Sequence, residues 1–212
     1  MKNKIKLAFT FADIISVDNL LGAWREFVCG KRNKKDVQIF ELRLMDNILS
    51  LHNDLRNRTY KHGPYQHFRI SDPKPRNIHK ASVRDRLLHH ALHRVLYPFF
   101  DQTFISDSFS CRNGKGTHKA LRRFSNFACA ASMSYTKTCF VLKCDVRKFF
   151  ANIDHKMLFS IIVAHIVDQN VLWLIREVVG SFSSGENGIG LPLGNLTSQL
   201  FVNVYMNEFD QF

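Results

Sequence analysis

Cysteine is scarce in this sequence, and its arrangement excludes two kinds of site. The five cysteines are an odd number, and no two of them form a CxxC pair; they are Cys29, Cys111, Cys129, Cys139 and Cys144. Structural zinc sites and disulfide frameworks both need paired cysteines. The sequence therefore predicts neither kind of site, and we expect a reducing, cytoplasmic location.

Long apolar runs are also absent. No stretch approaches the roughly 18 consecutive apolar residues of a membrane span. The apolar run near the N-terminus is interrupted by Asp13, and no small-residue cleavage site follows it, which argues against a signal peptide. We therefore expect no membrane partner.

Acidic residues are few, with 18 Asp and Glu against 30 Lys and Arg, so the formal net charge is +12. The positive charge is concentrated in residues 56–94 and 111–123, where it is mixed with His, Tyr and Phe. Such a surface suits nucleic-acid phosphates and bases. A solvated basic face is the alternative, although such faces usually interleave both signs.

The 45% apolar content, with 19 Phe, predicts a globular chain.

Apolar periodicity predicts a largely helical chain with one β-hairpin. Helices are predicted over 16–30, 36–57, 82–98, from Asp154 onward, near 168–180 and after the TSQ run at 197–199. The hairpin is predicted from QHFRI and RNIHKA, which flank the turn DPKP. FVLKCDVRKFF at 140–150 predicts a strand that carries Asp145, and Pro98 is expected to end its helix.

Three segments carry a family resemblance: RNIHKASVRDRLLHHALHRVLYPFFDQTFISDSFSCRNGKGTHKAL, VLKCDVRKFFANIDH and GLPLGNLTSQLFVNVYMN. In this order they resemble the conserved blocks of prokaryotic reverse transcriptases, which are related to group II intron and retron enzymes. The resemblance implies an α+β, right-hand polymerase fold. Helix-rich fingers would cover 1–135, with the hairpin near 66–80, and an incomplete palm would cover 136–212.

A finer resemblance lies in the last segment. Leu193 precedes Gly194, and Ser198-Gln199 follows, as in the reverse transcriptases of diversity-generating retroelements. Those enzymes copy template RNA into cDNA with frequent errors at adenine, usually beside a small basic accessory protein. The resemblance thus implies template RNA, primer or cDNA and dNTPs as partners. Group II intron or retron enzymes stay as the alternative within the family.

The resemblance also implies roles for single residues. Asp145 would be the catalytic ligand of two Mg²⁺ ions, helped by the Val146 carbonyl. Lys74 and Arg76 would hold the triphosphate, because Arg offers a bidentate fork and Lys a point charge. Phe149 or Phe150 would stack on the sugar and exclude a ribose 2′-hydroxyl; Phe150 is favoured, and core packing is the alternative for either ring.

In the last segment, Gly194 would let backbone approach the nascent base pair, since glycine has no Cβ. Leu193 stands where most members have a Gln, and its apolar side chain is expected to contribute to low fidelity. Gln199 belongs to the same nucleotide- and template-contacting block.

Other motifs are weaker. Arg112, Lys115 and Lys119 are expected at template or primer phosphates, whereas NGKGTH fails the Walker pattern. His89 and His93 share metal-ligand spacing, but no third ligand is visible, so we interpret them as core or helix-surface histidines.

The sequence contains no Asp-Asp pair, and hence no YxDD block with the further metal-binding carboxylates. The expectation is a fragment that is inactive alone. A non-catalytic nucleic-acid-binding protein derived from the family is the rival interpretation.

Overall fold

The computed structural model describes residues 9–71 and 75–212. In these ranges the chain forms helices connected around one antiparallel hairpin, which agrees with the α+β prediction. The helices are α1 (Phe11–Ile15), α2 (Val17–Phe27), α3 (Lys35–Glu41), α4 (Leu44–Arg56), α5 (Val83–Asp101), α6 (Thr117–Ala131), α7 (His155–Val163), α8 (Gln169–Gly180) and α9 (Leu196–Asp210). The strands are β1 (Gln66–Ser71) and β2 (Pro75–Lys80), and a 3₁₀ turn covers Phe149–Asn152.

Helix α5 lies at the centre of the packing, in contact with both α2 and α9. Its predicted buried face is confirmed: the apolar residues Leu87, Leu88, Ala91, Leu92, Val95 and Leu96 are all buried. Ser82 begins the helix by accepting a hydrogen bond from the Asp85 N–H at 3.1 Å. One apolar cluster continues from this helix into α7, α8 and α9. The division at residue 135 stays a prediction.

Two helix boundaries differ from the sequence prediction. The predicted helix over 36–57 is broken at Leu42 and Arg43 into α3 and α4, and the Asn47 side chain donates to the Phe40 carbonyl at 2.9 Å. That bond satisfies a carbonyl group at the end of α3, so the break has a local partner.

Pro98 does not end α5, which runs on to Asp101. Phe99 and Phe100 are buried in the core just after it. Their packing outweighs the one helical hydrogen bond that a proline removes.

The predicted strand over 140–150 is wrong. Residues 138–146 have no regular structure, and Phe140 and Leu142 are 93% and 89% exposed. A strand needs a hydrogen-bonded neighbour, and the described strands pair only with each other. Within the same ranges, no helix is both long and apolar enough to cross a membrane.

Candidate functional site

The hairpin is fastened to the loop that precedes α9. The His79 N–H donates to the Leu193 carbonyl at 3.0 Å, and the Asn195 side chain donates to the His79 carbonyl at 3.1 Å. Asn195 is 3% exposed, so this amide and its acceptor are shielded from water. Both backbone polar groups of His79 are therefore bonded to one loop, which fixes β2 against the start of α9.

Gly194 lies between these two hydrogen bonds. Its φ is +104°, and a Cβ placed there would come within 2.9 Å of Ile78 Cγ2. Glycine is the residue that accepts both conditions. The close neighbour of Gly194 in this structure is the Ile78 side chain of β2. The predicted contact with a base pair stays a prediction.

A first cleft of about 530 Å³ lies on one face of the hairpin. It brings together four of the residues singled out by the sequence, namely Arg76, Phe149, Phe150 and Leu193. Lys74, the other predicted triphosphate contact, lies outside the described residues. The lining also includes His67, His79, Lys148, Phe182 and Leu191, which the sequence reasoning missed. Strand alternation would have placed both histidines on one face.

The 3₁₀ turn positions the two phenylalanines of the first cleft. Lys148 enters the turn with φ +50°, and the Leu191 N–H donates to the Phe150 carbonyl at 2.7 Å. The Phe149 ring lies 6.4 Å from both the Phe150 and Tyr205 rings. Both phenylalanines are half-buried and line the cleft, so the choice between them as sugar neighbour stays open.

A second cleft of about 360 Å³ lies at the opposite face of the hairpin. Gly194 and Gln199 line it, so the predicted residues are divided between two clefts rather than gathered in one. Its other lining residues are Phe27, Lys31, Phe68, Ile78, Lys80, Arg86, His89, His90, Asn195 and Leu196. The cross-strand pairs Phe68–Ile78 and His67–His79 alternate along the strands, so they lie on different faces of the hairpin. Arg76 has the parity of Ile78 and lines the first cleft from near the N-terminal end of β2.

Asp36 organises the cations of the second cleft. Its Oδ2 lies 2.7 Å from Lys80 Nζ and 2.6 Å from an Arg86 guanidinium nitrogen. Burial raises the pKa of Asp36, but hydrogen bonds and charge attraction from Lys80 and Arg86 outweigh it and hold the pKa below its usual value. A single carboxylate from α3 thus sets the position of two cationic side chains.

Buried polar groups behind the clefts serve the fold. Asp85 accepts hydrogen bonds from the Tyr60 hydroxyl at 2.7 Å and the Ser82 hydroxyl at 2.6 Å, and it is 2% exposed. His89 is fully buried, and burial followed by the charge of His62 lowers the pKa of His89 to about 3. The described residues include no group of three His, Cys, Asp or Glu that could hold a metal. Of the two alternatives left open for His89, a core or a helix-surface position, its burial at 1% exposure supports the core position.

Asp145 and Val146 lie in the exposed segment and line neither cleft. Because the described residues offer no ligand group around Asp145, the residues present do not fit a two-magnesium site. Asp145 and Val146 thus lie apart from the clefts lined by the other predicted residues, and the roles predicted for all of them stay predictions.

The predicted phosphate contact at Arg112 is wrong. Its guanidinium donates to Asp101 Oδ1 at 2.7 Å and to the Ile105 carbonyl at 2.7 Å, and its side chain is 7% exposed. Those bonds occupy the donors that a phosphate would use. Lys115 donates to the Ser106 carbonyl at 2.6 Å, whereas Lys119 stays exposed beside Arg122.

Several known proteins are similar to this chain in sequence. The uncharacterized 91 kDa protein in the cob intron of Schizosaccharomyces pombe is 30% identical over 139 residues, covering 62% of this chain and 16% of that protein. Protein YkfC of Escherichia coli is 24% identical, covering 82% of this chain and 47% of its own. The group II intron-encoded protein LtrA of Lactococcus lactis subsp. cremoris is 22% identical, with coverage of 79% and 28%. The chain thus spans less than half the length of each.

A solved structure shares the fold of this chain, and a family of known proteins matches its sequence. A chain of the partial Cas6-RT-Cas1–Cas2 complex superimposes with a TM-score of 0.59 and 21% identity, over 96% of this chain and 35% of that one. This confirms the predicted polymerase-type fold class. The family described as reverse transcriptase (RNA-dependent DNA polymerase) matches residues 61–212, well over half of the sequence. The chain therefore belongs to the reverse transcriptase family.

Proposed function

We propose that this chain binds a deoxynucleoside triphosphate in the first cleft and template RNA in the second, for RNA-directed DNA synthesis. The observation that carries the proposal is the meeting of Arg76, Phe149, Phe150 and Leu193 at one cleft. These residues come from a hairpin, a 3₁₀ turn and a loop that are far apart in the sequence. Their convergence gives a cation, two aromatic rings and an apolar side chain to one ligand.

The charge of the first cleft suits a triphosphate. Arg76 and Lys148 line it, and no described lining residue is acidic. An arginine fork can hold two phosphate oxygens at once, and the rings of Phe149 and Phe150 offer apolar surface for the sugar. The lining of the cleft therefore offers cations for phosphates and apolar rings for the nucleoside.

The second cleft suits a single strand of nucleic acid. Lys31, Lys80 and Arg86 give it positive charge, which Asp36 offsets in part by pairing with the last two, and Phe27 and Phe68 give it aromatic surface. Cations with aromatic rings are the combination that single-strand sites use, because phosphates and base faces are both satisfied. Template RNA, primer and cDNA are the partners that we propose, and a small basic accessory protein would accompany a retroelement enzyme.

Nucleotide binding tests the proposal. Titration of the purified chain with dTTP should show saturable binding, and Arg76→Gln should weaken it about tenfold, the loss expected for one charge-assisted contact. Arg25→Gln, on the exposed side of α2, is the matched control and should bind as the wild type does. Absence of dTTP binding by the wild-type chain would refute the nucleotide site.

We also propose that these 212 residues bind their ligands without extending a primer by themselves. Asp145 has no described carboxylate partners, and no catalytic step can be assigned to the residues present. Magnesium stays an implication of the family. Robust Mg²⁺-dependent extension by the purified chain would contradict this proposal, and it would also exclude the rival interpretation as a non-catalytic binding protein.

Two types of reverse transcriptase remain as candidates for the biological role. Leu193 and Ser198-Gln199 support the diversity-generating retroelement type. The group II intron type is supported by the relatives, among them LtrA and the Arabidopsis thaliana nuclear intron maturase 4. A template and variable repeat pair beside the coding sequence would decide for the retroelement type; flanking intron RNA would decide for the other.

A further inference from the structure

We propose that His67 and His79 form a proton-dependent binding site for the phosphate groups of the nucleoside triphosphate in the first cleft. The inference rests on the proposed function and adds two ligand-binding residues to it. The two histidines are direct cross-strand partners in the hairpin. Their rings meet edge to face, with centroids 4.8 Å apart, and both line the first cleft together with Arg76.

The geometry holds His79 ready for a ligand. Its backbone N–H and carbonyl are both bonded to the loop at 193–195, and its ring packs edge to face on Phe182 with centroids 4.6 Å apart. The Nδ1 atom is shielded from solvent and has no hydrogen-bond partner among the described residues. Because Nδ1 is shielded, Nε2 is the ring nitrogen left for a ligand in the cleft, and the Phe182 contact and the two backbone bonds hold the ring in place for it.

The charges around the pair favour an anion. Arg76 on β2 and Lys148 before the 3₁₀ turn are the charged residues of the first cleft, and the described residues contribute no carboxylate to its lining. Tyr65 packs edge to face on Phe182, which lines the first cleft. A neutral imidazole donates one hydrogen bond, whereas a protonated one donates two and carries positive charge. Phosphate oxygens therefore favour the protonated pair.

The surroundings of His79 within the protein disfavour that protonation. Burial lowers the pKa of His79, and the nearby His67 lowers it further. A bound phosphate group reverses this balance, because it attracts the imidazolium. Since the pKa is higher in the complex than in the free chain, triphosphate affinity should rise as the pH falls through the interval between the two values. Each bound triphosphate should take protons up from the buffer.

Calorimetric titration with dTTP tests the inference directly. Wild type, the His67→Gln/His79→Gln double variant and the control His118→Gln are compared between pH 6.0 and 8.5, in buffers of different ionisation enthalpy. Phosphate groups themselves bind protons near pH 6. The comparison between variants therefore carries the result, rather than the wild-type profile alone.

We expect wild type and His118→Gln to gain about tenfold more affinity than the double variant as the pH falls, which corresponds to a pKa change of about one unit. The double variant should also lose most of the proton uptake. Glutamine keeps the backbone bonds of both positions, and circular dichroism would verify the fold; His67→Gln alone is the milder substitution if the double variant unfolds.

The possible failures are distinct. Identical pH profiles and proton uptake in wild type and folded variants would overturn the histidine inference and leave the proposed nucleotide site intact. A wild-type chain that binds no dTTP at any pH would overturn both. Binding of a single-stranded oligonucleotide in place of dTTP, with the same histidine dependence, would overturn the assignment of the pair to a triphosphate.

Discussion

Asn195 begins α9, yet its side chain does not cap that helix. An asparagine at this position usually accepts a hydrogen bond from its own first turn. Here the amide donates instead to the His79 carbonyl at 3.1 Å. The residue thereby joins a helix to a strand that is 116 positions earlier in the chain. No local sequence pattern could have predicted this bond, because the partner is set by the tertiary fold.

Gly194 gives a sharp test at the same scale. Gly194→Ala should lower the free energy of unfolding by about 1–3 kcal/mol, since the φ of +104° strains any residue with a Cβ. The 2.9 Å approach to Ile78 adds to that cost. Urea denaturation would measure the loss.

Gly180→Ala is the matched control for that substitution. Gly180 is the last residue of α8, its φ is not positive, and nothing lies within 4 Å of an added Cβ. The unfolding free energy of the Gly180→Ala variant should equal that of the wild type or exceed it slightly, because alanine favours helices. Equal unfolding free energies for wild type and Gly194→Ala would contradict the strain argument.

At the scale of elements, α5 packs its apolar face into the core and also carries three histidines whose pKa values are lowered. Burial lowers the pKa of His89 to about 3 and that of His93 to about 4. Burial, and then the charge of Lys31, lowers the pKa of His90 to about 4. The unfolded chain therefore binds more protons than the folded chain below pH 6.5, so acid favours unfolding.

We expect the unfolding free energy to fall steadily as the pH drops from about 6.5 toward 4, by at most about 1.4 kcal/mol per pH unit for each histidine. Urea titrations at a series of pH values would measure this. A His90→Gln/His93→Gln double variant should have a shallower slope, and His118→Gln on exposed α6 should keep the full slope. A flat profile for wild type would contradict the argument.

The exposed segment 138–146 predicts a tendency of the chain to self-associate. Phe140 and Leu142 present apolar side chains to solvent beside backbone without regular pairing. Such surfaces promote association between chains. Phe140→Lys/Leu142→Lys should therefore lower the self-association seen by light scattering at raised concentration.

Leu42→Lys offers a comparison for that test. Leu42 is 84% exposed but lies between two helices, away from an extended segment. We expect it to change association little. If both sets of substitutions have the same effect, general surface charge explains the result and the segment does not.

Elements with local signals could be predicted from the sequence. The hairpin has its turn residues, α7 and α8 have Asp154 and Asp168 as caps, and α5 has a full apolar face. The strand at 140–150 was wrong because apolar β-favouring residues do not form a strand without a neighbour. The division of Gly194 and Leu193 between two clefts also escaped prediction, since it depends on where β2 docks.

At the scale of the whole molecule, the charge of +12 should make RNA binding strongly dependent on salt. The logarithm of the affinity for single-stranded RNA should fall linearly with the logarithm of salt concentration, with a slope of about −0.7 for each phosphate contacted. Lys31→Gln/Lys80→Gln, in the second cleft, should make that slope shallower by about 1.4.

Arg56→Gln/Lys156→Gln removes the same charge from exposed positions outside both clefts. Filter binding or fluorescence anisotropy over a salt series would compare the two double variants. Equal slopes for both would mean that the RNA responds to net charge, and the second cleft would lose its assignment.

Strand β2 is a wall common to both clefts, held to one loop by two hydrogen bonds. A ligand that displaces β2 from within one cleft also changes the lining of the other cleft. Thermodynamics requires such an influence to be reciprocal: if RNA in one cleft tightens nucleotide binding in the other, the nucleotide tightens RNA by the same factor. If the clefts bind the two ligands proposed above, the shared hairpin would let a template influence nucleotide binding through the protein, in addition to base pairing.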